Sequence, residues 1–359
     1  MRVCAMFFIV ALHSITHGFY LDSTENGALH FELSSIGVFN YVVVECSMTL
    51  MNIAVDLYVL ITGYFLVNMP KAKWSKIPKI WFHAVFYSVT IAFTLKVLKW
   101  GVDISWSECL KSAMPVKSDA YWFVTKYLGL IALSPFLAKL ASALTKEQYK
   151  VMLFVLCFLQ LDVYKFPYGY FYENNWGTSL MFFVTLFLCG GYIRLYNPFA
   201  KNAGKNLIAI FVISLLFNMR DVYPSILSFS DALPPGSGPY HSLTFFVAIA
   251  FFVWMKNISF ANNLFVRTIV RIAPYTFGVY LIHENPYLRV WLWRDIIAFD
   301  SNAINSNIFI PYWLVVITSI FCICIVIDFL RQKLFDMFKV EYAIDKLINK
   351  VSTEVAYYL

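Results

Sequence analysis

FIPYWLVVITSIFCICIVIDFL, residues 309–330, is twenty-two residues of nearly unbroken apolar character with one charge, Asp328. At 1.5 Å of rise per residue such a run extends ~33 Å as a helix, enough to cross the hydrocarbon layer of a bilayer. A chain can occupy that layer only if its backbone groups are satisfied internally, which a helix does within itself. Composition extends the reading to the whole chain: 60% of the 359 residues are hydrophobic and 14% are charged, against about 45–50% and about 25% in soluble domains. The sequence predicts an all-α, polytopic integral membrane protein.

Working outward from that run, nine more apolar stretches lie near 3–20, 40–68, 80–99, 121–141, 150–164, 177–196, 206–219, 240–256 and 273–293. About ten transmembrane helices are therefore expected, in a membrane domain spanning 1–330. The stretches 150–164 and 206–219 are short for the bilayer, so one of them is expected to be tilted, broken or re-entrant. Residues 331–359 mix Lys and Glu with Leu, Phe, Ile and Val, the composition of a cytoplasmic amphipathic tail on the inner surface.

The net charge of +7 does not imply nucleic acid, because Lys and Arg are scattered at the ends of apolar runs and form no basic face. Placing both termini in the cytoplasm gives the inner segments a roughly two-to-one excess of Lys and Arg. Of the seven cysteines, only Cys109 falls in a polar loop; the others sit within apolar runs and read as small buried hydrophobes. No metal is expected from their spacing. Aromatic residues such as Trp106, Tyr121, Trp122, Tyr168, Tyr170, Tyr172, Trp176 and Tyr240 read mainly as an interfacial belt at the outer boundary.

Ionisable groups inside the membrane are costly, at least ~2.5–3.5 kcal/mol each near its centre, and they mark partners or water-filled cavities. His13 lies ~15 Å past the start of the first run, near the midplane. His283 and Glu284 lie about as far into the ninth run, and Asp56 reaches a similar depth in the second. His17 falls on the face of His13, one turn further out, and Glu45 shares a face with Asp56; for these two a polar contact between helices is the simpler reading.

Four stretches carry a resemblance to the membrane acyltransferase family 3 that spans nearly the whole chain. RVCAMFFIVALH (2–13) is similar to the family's basic residue, ten-residue gap and histidine. VDLYVLITGYFLV (55–67) looks like its apolar-aromatic run ending in Ser-Gly-aromatic, with Thr62 in place of serine. YWFVTKYLGLIALSPFL (121–137) is similar to its Trp-Phe helix, and TFGVYLIHE (276–284) to its late Tyr-His-Glu helix. Where the family shows two arginines three apart, this chain has Lys76 and Lys79, which keep the charge and lose bidentate geometry.

The resemblance implies an acyl-coenzyme A donor, acetyl-CoA first among them, on the cytoplasmic side of a bacterial plasma membrane. It implies an acceptor hydroxyl outside, on a cell-surface or lipid-linked glycan. Arg2, Lys76 and Lys79 are the expected donor-binding cations, with Arg267 and Arg271 in reserve. His13 is the expected general base or acyl acceptor, an alternative the sequence leaves open. Asp56 or Glu284 would orient its imidazole. Thr62, Tyr280 and His283 would serve as oxyanion donors or acceptor ligands, or only pack helices. Two other readings are a transporter or flippase of lipid-linked sugars and a glycan polymerase. The first expects repeated halves and the second expects basic outer loops, and the sequence displays neither.

Overall fold

A computed structural model describes residues 1–19, 34–69, 76–160, 177–198, 202–227, 241–300 and 302–355. The expected end of the fifth span (161–164), part of the outer loop 219–239, and Tyr168, Tyr170, Tyr172, Trp176 and Tyr240 lie outside them. Every regular element among the described residues is helical.

The chain opens with α1 (Arg2–His13), which continues as a π-helical segment, Ser14–Phe19. Next come α2 (Ser35–Met51), α3 (Ala54–Leu66), α4 (Lys76–Leu98), the short α5 (Trp106–Lys111), α6 (Trp122–Ala143) and α7 (Lys146–Gln160). The second half holds α8 (Leu180–Tyr196), α9 (Ala203–Leu227), α10 (His241–Asn257), α11 (Leu264–Ile272), α12 (Thr276–His283), α13 (Pro286–Trp291), α14 (Phe309–Met337) and α15 (Val340–Val355).

Six stretches among the described residues are long and apolar enough to cross a membrane: Arg2–Phe19, Ser35–Leu66, Lys76–Leu98, Trp122–Ala143, Leu264–His283 and Phe309–Met337. Leu180–Tyr196, Ala203–Ser214 and Thr244–Asn257 are apolar but shorter. The surface fits a lipid solvent: α14 exposes Val315, Ile323, Val326 and Leu330 while burying Asp328 and Arg331. This polar-inside, apolar-outside arrangement reverses that of a soluble helix. The chain is a multi-pass membrane protein.

Two breaks depart from the continuous spans expected. Residues 40–68 divide between α2 and α3 at Asn52 and Ile53. The ninth run, 273–293, divides more sharply: it opens on a 3-10 turn containing Pro274 that joins it to the preceding α11, and α12 stops at Glu284, whose backbone (φ −97°, ψ 7°) leaves the helix. Pro286 explains the stop, since it lacks an N–H and its ring crowds the carbonyl four residues back. Asn285 restarts the chain as the cap of α13, its Oδ1 accepting from Tyr287 N (3.0 Å) and Leu288 N (3.2 Å).

Close packing fixes the helices around α1, which touches α2, α3, α12 and α14. The tightest approach is between α3 and α8, where a Cβ on Gly63 would overlap the Phe187 carbonyl and one on Gly190 would overlap the Leu60 carbonyl. Without side chains at these positions the two backbones can touch, the usual way membrane helices gain dispersion contact. Gly278 of α12 packs against the Asp328 carboxylate of α14. Asp328 is in turn held by both nitrogens of an Arg331 fork (2.8 and 3.0 Å) and by the Tyr87 hydroxyl of α4 (2.7 Å). The charge pair is thus satisfied within the protein.

Candidate active site

Three elements converge where α1 meets the end of α12. Trp313 of α14 donates its indole N–H to Ser14 Oγ (2.7 Å), and Ser14 donates to the Ala11 carbonyl (2.6 Å). This pins α1 where it widens into the π segment. On the opposite side, Asn285 Nδ2 donates to the Tyr121 hydroxyl (2.9 Å), which donates to the Leu281 carbonyl (2.9 Å). The non-helical Glu284 is thereby held inside the protein, its side chain only 5% exposed.

His13, His17, His283, Glu284 and Arg289 meet at this junction. His13 Nδ1 lies 2.9 Å from His283 Nε2 and 3.1 Å from Glu284 Oε2. His17 Nε2 lies 3.2 Å from the same carboxylate oxygen. Arg289 of α13 donates to the other oxygen, Oε1, at 2.7 Å.

Donor logic assigns the protons. His283 Nδ1 is 2.6 Å from the Val279 carbonyl, which only accepts, so Nδ1 carries hydrogen and Nε2 carries a lone pair. His13 Nδ1 must then donate to His283 Nε2, and the lone pair of the neutral His13 ring falls on its own Nε2. That atom makes no hydrogen bond among the described residues. The His13 side chain is 16% exposed and that of His17 22%, so the cluster is accessible and also low in dielectric.

The remaining residues expected in the site distribute around this centre. Tyr280 is buried, its ring centroid 6.5 Å from that of His283. Thr62 stands on α3, donating to the Tyr58 carbonyl (2.8 Å) and meeting the Tyr127 hydroxyl (3.0 Å). Since the Thr62 proton is used by the carbonyl, Tyr127 is the donor of that second bond. Asp56 is buried in α3 and makes no hydrogen bond or ion pair among the described residues, so it does not join the histidines. Glu45 is buried in α2. Arg2 is exposed at the start of α1, its carbonyl accepting from the Tyr58 hydroxyl (3.1 Å). Lys76 is exposed at the start of α4. Lys79 pairs with Asp345 (2.8 Å) and lies 3.7 Å from Glu341, tying the tail helix α15 to α4.

Sequence reading alone missed Arg289, Tyr121 and Asn285 as parts of this arrangement. The signal was present in His283-Glu284-Asn285-Pro286: Asn-Pro within an apolar run marks a helix end followed by a capped restart. Reading it would have placed Glu284 at a break and Arg289 on the next turn.

No curated protein and no solved structure matches the chain. A family model described as an acyltransferase domain matches residues 1–329, which takes in every helix described above through most of α14. The chain belongs to acyltransferase family 3 and is a membrane acyltransferase.

Proposed function

We propose that the protein moves an acyl group, acetyl in the first instance, from acyl-coenzyme A in the cytoplasm to a hydroxyl of a cell-surface or exported polysaccharide. The observation that carries this reading is the His13 ring, held by one nitrogen beside His283 and Glu284 while its other nitrogen makes no hydrogen bond among the described residues. In this reading the protein lies in a bacterial plasma membrane with both termini cytoplasmic. The shorter apolar helices α8, α9 and α10, together with α7, bring the crossings to about ten.

His13 Nε2 accepts the proton of the acceptor hydroxyl as its oxygen attacks the thioester carbonyl. The new C–O bond forms, the C–S bond breaks, and the coenzyme A thiolate leaves with the proton His13 has taken up. Glu284 lies beside the imidazolium that forms and stabilises it, as the carboxylate of a catalytic triad does. Arg289 fixes that carboxylate from its far side. An acyl-histidine relay uses the same nitrogen: Nε2 attacks the thioester carbonyl and coenzyme A leaves as the thiol with a proton from the ring, then the glycan hydroxyl attacks the acyl-imidazole, its oxygen taking the acyl group and its proton returning to the freed ring. His283 orients His13, and Tyr280, its ring centroid 6.5 Å from that of His283, donates to the carbonyl oxygen in this reading as charge develops. Arg2, Lys76 and Lys79 take the donor's phosphates at the inner face.

Contacts among the basic helix ends support this orientation. Arg194 donates to the Tyr64 hydroxyl (3.1 Å), Lys256 bonds Asn197, and Lys146 lies over the Tyr196 ring. Positive charge thus gathers at one end of the bundle, as the positive-inside rule expects of the cytoplasmic face. Mass analysis of surface glycan from cells with and without the gene tests the function. A loss of one acetyl per modified unit supports it, while an unchanged glycan would refute it and favour transport of lipid-linked sugars.

A further inference from the structure

Three donor atoms at the centre of the site face one another without sharing good hydrogen bonds. Glu284 Oε2 is buried and meets neither neighbouring imidazole in hydrogen-bond geometry, although His13 Nδ1 and His17 Nε2 lie only 3.1 and 3.2 Å away. The three atoms lie within 4.8 Å of one another. Two imidazole nitrogens and one carboxylate oxygen form the donor set that zinc takes in many protein sites.

We propose that His13, His17 and Glu284 form a capture site for a divalent transition-metal ion, best matched by zinc, and that the captured ion reversibly stops acyl transfer; the inhibitory part rests on the function proposed above. A tetrahedral ion ~2.0–2.1 Å from each donor requires donors ~3.3 Å apart. Two of the three pairs already meet that requirement, and the third closes by rotation of the partly exposed His17 side chain. His283 Nε2, 2.9 Å from His13 Nδ1, presents a lone pair to the same space because its Nδ1–H is given to the Val279 carbonyl. It or a water supplies the fourth position. Arg289, bonded to Glu284 Oε1 (2.7 Å), leaves Oε2 for the ion and holds the carboxylate in place, the role outer partners play around metal ligands.

In the orientation proposed above, access is from the outer side. His17 is the most exposed of the three and lies one turn beyond His13 along the chain's outward path. The inhibition follows from proton accounting. Coordination takes the lone pair of His13 Nδ1, so the proton on that atom passes through water to Nε2, with no change in oxidation state. A protonated Nε2 cannot accept the hydroxyl proton of a glycan, and removing the ion restores the catalytic tautomer.

Equilibrium dialysis of the purified full-length protein against zinc chloride, paired with transfer rates in zinc and after chelation, tests the site. One zinc should bind per chain, and transfer should fall in zinc and recover with chelator. His17→Gln keeps an amide donor for Glu284 but is a poor zinc ligand, so binding and the half-inhibitory concentration should each weaken at least tenfold. The readout is the ratio of rates with and without zinc, so a change in basal rate does not confound it. Absence of saturable binding, or binding unchanged in His17→Gln, would overturn the site. Loss of transfer on chelating the protein as purified would overturn the inhibitory role, since the ion would then be required. A protein that binds zinc as described but never transfers acyl groups would keep the site and refute the function.

Discussion

Replacing Glu284 with glutamine keeps the shape of the side chain and removes its charge, which isolates the electrostatic part of the site. The carboxylate oxygen lies 3.1 Å from His13 Nδ1. An imidazolium and a carboxylate at that separation attract by about 5 kcal/mol at an effective dielectric of ~20. The amide dipole recovers part of this, so the transition state in which His13 is charged should lose about 3–5 kcal/mol, or roughly 10²- to 10⁴-fold in rate. Arg289, 2.7 Å from Oε1, deepens the loss because its charge is no longer offset beside the imidazolium. The assay is the initial rate of labelled acetyl transfer from acetyl-coenzyme A to glycan in membrane vesicles, normalised to protein abundance. Glu284→Asp, which retains the charge but withdraws it by one methylene, should fall between glutamine and wild type. A glutamine variant within threefold of wild type at equal abundance would refute the claim that this carboxylate stabilises a charged His13.

Other expectations concern the scaffold and the donor end. Gly190→Leu should push α8 off α3, because even a Cβ would overlap the Leu60 carbonyl; a lower midpoint in thermal unfolding of the detergent-solubilised protein checks it, with about 1–3 kcal/mol or more lost to overpacking. Arg331→Met leaves Asp328 buried without its partner and should cost about 3–5 kcal/mol, whereas Arg331→Met with Asp328→Leu should recover much of that in the same measurement. Asn285→Ala removes the cap of α13 and the Tyr121 link; about 1 kcal/mol of stability should go, with a larger proportional fall in transfer rate because Glu284 is freed. Lys79→Ala should leave stability nearly unchanged, since its partners Asp345 and Glu341 are more than two-fifths exposed and such pairs contribute about 0–1 kcal/mol. Its KM for acyl-coenzyme A should rise.

The membrane fold was legible because hydropathy is a local property: Phe309–Leu330 announces a span without reference to any other residue. The breaks were harder to see. Asn52-Ile53 carries no proline or glycine signal, and Asn285-Pro286 was masked by the apolar residues on either side. Depth counting put His13, His283 and Glu284 at one level because helical rise is constant, and the structure sets His13 Nδ1 2.9 Å from His283 Nε2 and 3.1 Å from Glu284 Oε2. Depth does not give direction around the bundle, so Asp56, counted to the same level, stays outside the cluster, while His17, read as a polar contact between helices, makes one with Glu284. Arg289 escaped for a related reason: only a broken helix folds its guanidinium back onto a carboxylate five residues earlier. Lys79 was legible as a helix-end cation, but its pairing with α15 depends on where the tail returns.

In the proposed transfer, a lone pair at His13 Nε2 takes the acceptor's proton or the donor's acyl group. Acetyl transfer by membranes carrying His13→Ala, compared with wild type at matched abundance and matched unfolding midpoint, measures that dependence directly. Transfer at the level of membranes lacking the protein is the predicted result; transfer at the wild-type rate would contradict the account.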